Sequence, residues 1–358
     1  ILKTLYRNAD ILILDEPTAV LTPQEEEELF RVLRRLADGG KTLIFITHKL
    51  NEVMQISDNA TVLRDGKVVT TLETKDTSPA EISRAMVGRD VMLRVNKTAQ
   101  AAGANDVVLA VDDLHVANNL GQAAVHGVAF HVHKGEIVGI AGVAGNGQNE
   151  LVEAVAGLRS IQSGTVQLLG RDVTNANVAT RRGIGMAYIP EDRGGVGLAL
   201  GARVSENLLM ARQRANEFGG RGWLRGAAIK ARAEKLIRQY VIKTNNTTGA
   251  ETTANLSGGN RQKAVVAREL SHNAPLLIAE QPTWGVDVGS IEFIHQQLLD
   301  YRQRGHAVLL ISADLGEVMA LADRILVMFE GRVAGEVRGS AATEQGLGLL
   351  MMGASNSQ

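Results

Sequence analysis

Apolar residues fall along this chain in two rhythms. Short unbroken runs read as buried strands: Ile11–Leu14, Thr42–Ile46, Glu136–Ala141, Met186–Ile189 and Leu276–Ala279. Between them, apolar residues recur at helical spacing, as in Leu29, Val32, Leu33 and Leu36, or Ala264, Val265, Ala267 and Leu270. Short apolar strands alternating with helices predict a parallel sheet covered on both faces. Thr22-Pro23-Gln24-Glu25 has the form of a capping box with proline at the first helical position. The acidic run Glu25–Glu28 is then a solvated helix start, favoured by the macrodipole. Val107–Val111 and Val125–Val132 predict an antiparallel pair, Leu151–Leu158 a helix, and residues 204–245 a mostly helical block. Arg64-Asp65-Gly66-Lys67 predicts a hairpin turn.

The pattern repeats. Shifted by 265 positions, ILDEPTA at 13–19 lies on IAEQPTW at 278–284, and LNEVMQISD at 50–58 lies on LGEVMALAD at 315–323. Asp65-Gly66-Lys67 falls on Glu330-Gly331-Arg332 without a gap. The same shift puts Ile1 on Val266, inside the helix that follows Ser257-Gly258-Gly259. The expected organisation is therefore residues 1–92 as the C-terminal part of a first copy, 93–105 as a small, polar linker, and 106–358 as a complete second copy. The first copy's own Ser-Gly-Gly turn is expected upstream of Ile1.

Composition narrows the class. The chain has 358 residues, 45% of them hydrophobic and 22% charged, which suits about two globular domains. Its net charge of −1 argues against a sequence-blind nucleic-acid binder. With no cysteine there is neither a disulfide framework nor a thiolate metal site. No apolar run approaches a membrane span and no signal peptide is visible. The expectation is a cytosolic protein whose role at a membrane would pass through a partner.

The candidate chemistry is that of phosphate. A hydroxyl and two glycines at the start of a helix, Ser257, Gly258 and Gly259, present backbone N–H groups to an anion. A second glycine loop, Gly142, Gly145 and Gly147, lies between a strand and a helix, as a phosphate cradle does. Where such a loop carries Lys and Ser/Thr, this one carries Gln148 and Asn149. Loss of the lysine charge removes a bond of roughly 1.5–3 kcal/mol. Other positions of the second copy are altered too. Asp15-Glu16 becomes Glu280-Gln281, and Gln281 cannot act as a carboxylate base; His48 becomes Ala313. Asn118 and Asn119 stand where an aromatic ring could have stacked on adenine. The first copy keeps the complementary set: Asp15 to hold Mg²⁺ through water, Glu16 to position or deprotonate the attacking water, and His48 to contact the terminal phosphate.

Taken together, these stretches resemble the tandem-cassette ATPase subunits of bacterial ATP-binding cassette (ABC) importers for simple sugars and nucleosides, over essentially the whole chain. LSGGNRQK is similar to the family signature, ILDEPTA to Walker B, ITH to the H-loop, GVD at 285–287 to the D-loop, and MAYIPEDR at 186–193 to the Q-loop, with Glu191 where most cassettes carry Gln. IEFIHQQLL at 291–299 and LGLLMMG at 347–353 lean to the nucleoside branch. The resemblance implies an α/β P-loop NTPase fold with a RecA-like core, an antiparallel β subdomain and a helical subdomain. It implies ATP and Mg²⁺ as ligands, and two cassettes closing head to tail on nucleotide. One consensus site would join Asp15, Glu16 and His48 with Ser257, Gly258, Gly259 and Asp287. One degenerate site would hold nucleotide at Gly142, Gly145, Gly147, Gln148, Asn149 and Glu191 without efficient hydrolysis. With the first Walker A expected upstream of Ile1, the chain as given is expected not to be a competent ATPase, and the full-length subunit to be one. The implied partners are membrane-spanning permease subunits and, indirectly, an extracytoplasmic substrate-binding protein, with the subunit peripheral on the cytoplasmic face. The alternatives are a soluble tandem ATPase of translation or DNA metabolism, for which a basic linker is expected and a neutral one found, and a nucleotide-sensing regulator without transport.

Overall fold

Six strands form the central sheet of the second copy. The computed structural model describes residues 9–18, 21, 23–47, 49–64, 66–88, 106–213, 215–220 and 223–353. Thr22, His48, Asp65 and the expected linker 93–105 lie outside them.

The first copy contributes β1 (Ile11–Asp15), α1 (Pro23–Asp38), β2 (Thr42–Ile46), α2 (Leu50–Ile56), the hairpin β3 (Asn59–Arg64) and β4 (Lys67–Glu73), and α3 (Pro79–Val87). The second begins with the long antiparallel pair β5 (Val107–Ala117) and β6 (Ala123–His133), then β7 (Ile137–Ala141) and α4 (Gln148–Ala156). Next come β8 (Ser163–Leu168), β9 (Arg171–Asp172), α5 (Val178–Ile184) and β10 (Met186–Ile189). The α6 (Val204–Leu209) and α7 (Gly226–Gln239) helices flank a two-stranded ribbon, β11 (Gly219–Gly220) and β12 (Trp223–Leu224). The chain then forms α8 (Gly258–Leu270), β13 (Leu276–Glu280), α9 (Val288–Gln303), β14 (Ala307–Ile311), α10 (Leu315–Leu321), β15 (Arg324–Phe329), β16 (Arg332–Arg338) and α11 (Glu344–Met351).

β10, β13, β14, β7 and β15 pair in parallel, and β16 closes the edge antiparallel to β15. β7, β13 and β14 are buried along their whole length, as continuous apolar runs require. One core face of this sheet packs on α8 to α10, and the other on α4 and the antiparallel β5–β6–β8 layer.

The 265-residue repeat holds at the level of hydrogen-bond register. Ile11 pairs with Thr42 and Leu276 with Ala307; both hairpins slip register at one place, Val62/Leu63 and Val327/Met328. Gly66 and Gly331 both turn at φ 74°. The helices pack crosswise, α1 on α11 and α9 on α3, so that each contact is the repeat of the other.

Three expectations need correction. Ile11–Leu14 is not a buried strand: Leu12 and Leu14 are inside, while Ile11 and Ile13 face out. Among the described residues β1 pairs only with β2, and no layer covers the face that carries Ile11, Ile13, Ile44 and Ile46. The helix expected at Leu151–Leu158 begins earlier, at Gln148, and stops at Ala156, where Gly157 takes the left-handed conformation at φ 82°. The 204–245 block is interrupted by the β11–β12 ribbon.

Candidate functional site

β7 delivers the chain into the glycine loop. At Gly147 (φ 93°) a Cβ would lie 2.3 Å from the Ala124 carbonyl oxygen, so no other residue fits there. Gly145 also has positive φ, 89°, and its Cβ direction is open. The loop thus leaves backbone room at the N-terminus of α4, where no side chain caps the first N–H groups. Those features fit phosphate oxygens. The side chain of Gln148 turns back instead, donating Nε2 to the Val143 carbonyl at 3.0 Å. Asn149 Nδ2 approaches Glu191 Oε2 at 3.5 Å, so the cradle and the Q-loop segment meet beyond the ends of β7 and β10.

Glu280 ends β13. Its Oε2 accepts from the Tyr188 hydroxyl at 2.5 Å and from the Glu191 N–H at 3.3 Å. Burial raises its carboxyl above the ordinary range against these two donors, and raises the Tyr188 hydroxyl as well. Gln281, at φ 44°, donates its N–H to Ile311 and accepts from the Ala313 N–H through Oε1 at 3.1 Å. Both residues at the end of this strand are thus tied into their own cassette.

The first copy repeats the backbone and keeps the acids. Glu16 stands at φ 42° and donates its N–H to Ile46 at 2.9 Å, as its counterpart Gln281 does to Ile311. Asp15 is exposed at the end of β1. The Thr18 hydroxyl donates to Glu52 at 2.5 Å, and the Thr283 hydroxyl to Glu317 at 2.8 Å, the same bond one repeat later. No group of three or more His, Asp or Glu side chains among the described residues gathers as a metal cage.

Ser257 caps α8: its Oγ accepts from Asn260 Nδ2 at 2.8 Å and, at 3.5 Å, from the Asn260 N–H. Asp287 caps α9, accepting from the Ser290 N–H at 3.0 Å and its hydroxyl at 2.8 Å. A Cβ on Gly259 would meet Asp287 Oδ2 at 2.9 Å, so signature and D-loop close against each other only with glycine there. Arg193 ties the Q-loop segment to the same surface, donating to the Trp284 carbonyl at 2.6 Å and the Gly285 carbonyl at 3.2 Å. Trp284 and Gly285 line a small cavity together with Glu16, Thr47, Gln281 and Ser312. The structure brings Glu16 to the second copy's D-loop segment; Ser257 does not line that cavity.

Sequence reading missed Tyr188, Arg193 and a buried ion group on α8. Glu269 accepts from Arg182 at 2.6 Å, Arg268 at 2.7 Å and the Tyr188 N–H at 3.2 Å, while Arg268 also donates to the Gly197 carbonyl at 2.7 Å. Burial opposes charge on Glu269, but Arg268 and Arg182 together outweigh it and hold the carboxyl below its usual range. The signature helix is thereby bolted to β10 and to the loop after it.

Comparison with known proteins agrees with this geometry. The family model described as ABC transporter matches residues 125–284. A guanosine import ATP-binding protein of Bacillus subtilis is 46% identical over all of this chain, which spans 69% of that protein. A glucose import ATP-binding protein of Haloferax volcanii is 45% identical over 99% of the chain, which spans 64% of that protein's length. A solved ATP-binding subunit of an ABC transporter superposes with a TM-score of 0.56 at 22% identity, covering 68% of this chain and 99% of the other, a likeness of fold. With this α/β cassette fold, which binds ATP, and a likeness that runs from end to end, the chain belongs to the ATP-binding protein family of ABC transporters.

Proposed function

We propose that this chain belongs to the energy-coupling subunit of an ABC importer for nucleosides or simple sugars. The reading rests first on the asymmetry of the repeat: Asp15-Glu16 keeps two carboxylates at the end of β1, whereas Glu280 is engaged by Tyr188 and Gln281 has no acid to offer. The names of the relatives support nucleoside and sugar alike, at 46% and 45% identity.

In this reading, Asp15, Glu16 and His48 of the first copy work with Ser257, Gly258, Gly259 and Asp287 of the second. Asp15 would hold Mg²⁺ through water, Glu16 would orient or deprotonate the attacking water, and the N–H groups at the start of α8 would face the terminal phosphate. Bound ATP supplies a phosphoanhydride whose cleavage favours reopening of the cassette pair. The second copy's cradle, Gly142 to Asn149 with Glu191, holds nucleotide without splitting it, because Gln148 carries no charge and Gln281 has no carboxylate to accept a proton. Residues 1–92 and 106–358 are the two cassette portions, joined by 93–105. Membrane-spanning permease subunits receive the motion through the Q-loop segment and α6–α7, and a substrate-binding protein outside the membrane feeds them. No helix among the described residues is long and apolar enough to cross a membrane, consistent with a peripheral place on the cytoplasmic face.

The test uses the longer subunit assembled with its permease in vesicles. Glu16→Gln is expected to abolish ATP turnover and solute uptake while nucleotide still binds. Retained turnover in Glu16→Gln, or uptake independent of this subunit, would refute the reading.

A further inference from the structure

A turn of the second copy forms part of the wall around Glu16. Trp284 and Gly285 line the small cavity together with Glu16, Thr18 and Thr47 of the first copy. Whatever fixes this turn fixes the room left around the Glu16 carboxylate.

Two side chains from elsewhere hold the turn by its carbonyls. Gln262, buried on α8, donates Nε2 to the Pro282 carbonyl at 2.7 Å. Arg193 takes the other end, Nη1 donating to Trp284 at 2.6 Å and Nη2 to Gly285 at 3.2 Å. A planar guanidinium fork spans two successive carbonyls in this way, and a lysine ammonium does not match it. Glycine makes the room. A Cβ at Gly258 would lie 3.2 Å from Arg193 Nη2, and one at Gly285, where φ is 58°, 3.3 Å from it. The guanidinium thus fills the notch between the signature and D-loop segments. The adjacent carboxylate, Asp192, is engaged elsewhere: its Oδ1 accepts from the Gly194 and Gly195 N–H groups at 2.9 and 2.8 Å.

The base of the Arg193 side chain is anchored as well. Its N–H donates to the Glu191 carbonyl at 3.0 Å, and the Glu191 N–H donates to Glu280 at 3.3 Å. The Gly197 carbonyl accepts from Arg268 at 2.7 Å. Arg193 is therefore an arm fixed beyond the end of β10 that grips two carbonyls of the cavity wall. We propose that Arg193 is a positioning residue for the Glu16 site, holding Trp284 and Gly285 where they confine the attacking water. The proposal rests on the reading of Glu16 as the residue that orients or deprotonates that water. Arg193 acts through the turn: its loss releases the Trp284 end, while the start of α8 and the glycine cradle keep their geometry. Turnover then falls without loss of nucleotide affinity.

Kinetics of the longer subunit with its permease in vesicles, and fluorescence of the 358-residue chain, test this together. Arg193→Met is expected to lower kcat for ATP by about tenfold to a hundredfold at unchanged KM, as a misplacement of about 1 Å does. Arg193→Lys, which keeps the charge and can reach one carbonyl, is expected to recover part of that loss. If Arg193→Met fails to fold, Arg193→Lys still decides, a severalfold fall in kcat at unchanged KM being expected. The chain has two tryptophans, so Trp223→Phe leaves Trp284 as its sole indole. In that background Arg193→Met is expected to shift the Trp284 emission to longer wavelength and to raise its quenching by acrylamide. Parental kcat in Arg193→Met beside a silent Glu16→Gln would overturn the proposal and leave the Glu16 reading standing. Undiminished turnover in Glu16→Gln would overturn both. A rise in KM with kcat unchanged, or a fall in kcat with the Trp284 emission unmoved, would also overturn the proposal.

Discussion

The Tyr188 hydroxyl donates to Glu280 at 2.5 Å, across 92 positions of sequence. That bond makes the acid at the end of β13 a structural residue of its cassette. Tyr188→Phe leaves a buried carboxylate with only the Glu191 N–H, and is expected to cost about 1–3 kcal/mol near neutral pH. The pH dependence has a definite sign. Burial raises the folded-state value of Glu280, so its charged form weighs against the fold as pH rises above the ordinary carboxylate value. Removing the hydroxyl raises that value further. The loss should therefore be large in urea melts at about pH 7.5 and fade as pH falls towards the ordinary carboxylate value, where the folded-state carboxyl becomes protonated in parent and variant alike. An equal loss at both pH values contradicts this.

His272 gives the opposite slope. Burial lowers its imidazolium to about 4, the nearby Glu269 carboxylate only partly opposing, and its Nε2 has no hydrogen-bond partner among the described residues. A folded-state value below the unfolded one means stability that is complete above about 6.5 and lost as pH falls towards 4. His272→Leu removes the titration. Relative to the parent, the variant should gain about 1–2 kcal/mol between about pH 7.5 and pH 5. A constant difference across that range in denaturant titrations speaks against the assignment.

The repeat was fully legible, because strand register, the hairpin bulge and the glycine turns are all local consequences of spacing. Ile11↔Thr42 and Leu276↔Ala307 follow from the same offset that aligns ILDEPTA with IAEQPTW. The glycine turn between β7 and α4 and the start of α8 at Ser257 were legible from their own residue types. Tyr188–Glu280 and Arg182–Glu269 were not: partners 92 and 87 positions apart leave no periodic trace. Nor could the sequence tell Ile13 from Ile278. Both sit in apolar runs, and only the neighbours of the strand decide their exposure.

That difference is itself testable. Ile13 is 63% exposed and its repeat mate Ile278 fully buried; Ile44 is 47% exposed and its mate Leu309 fully buried. Ile278 and Leu309 lie under α4 and the β5–β6–β8 layer, which has no counterpart over β1 and β2 among the described residues. Ile278→Thr is expected to destabilise by about 2–5 kcal/mol, by loss of packing and burial of a hydroxyl. Ile13→Thr should change stability by less than about 0.5 kcal/mol and reduce binding of a hydrophobic dye. Chemical denaturation of the two variants side by side checks both. A large loss in Ile13→Thr would mean that this face is covered in solution.

The glycine cradle offers the sharpest separation of binding from catalysis. Gln148 donates to the Val143 carbonyl, and a lysine at this position brings the charge that the loop lacks. Gln148→Lys is expected to tighten binding of a fluorescent ATP analogue by about 10–100-fold, the equivalent of one charge-assisted bond. The gain should shrink as salt is raised, as a charge–phosphate contact requires. Turnover should stay at background in the same variant. Gln281 still has no proton-accepting carboxylate, and Glu280 remains held by Tyr188. Tighter binding with silent chemistry is the outcome that a nucleotide cradle without a base must give. Phosphate release from Gln148→Lys alone would show that the loop was only one charge short of an active site, and that the altered residues at the end of β13 are not what silences it.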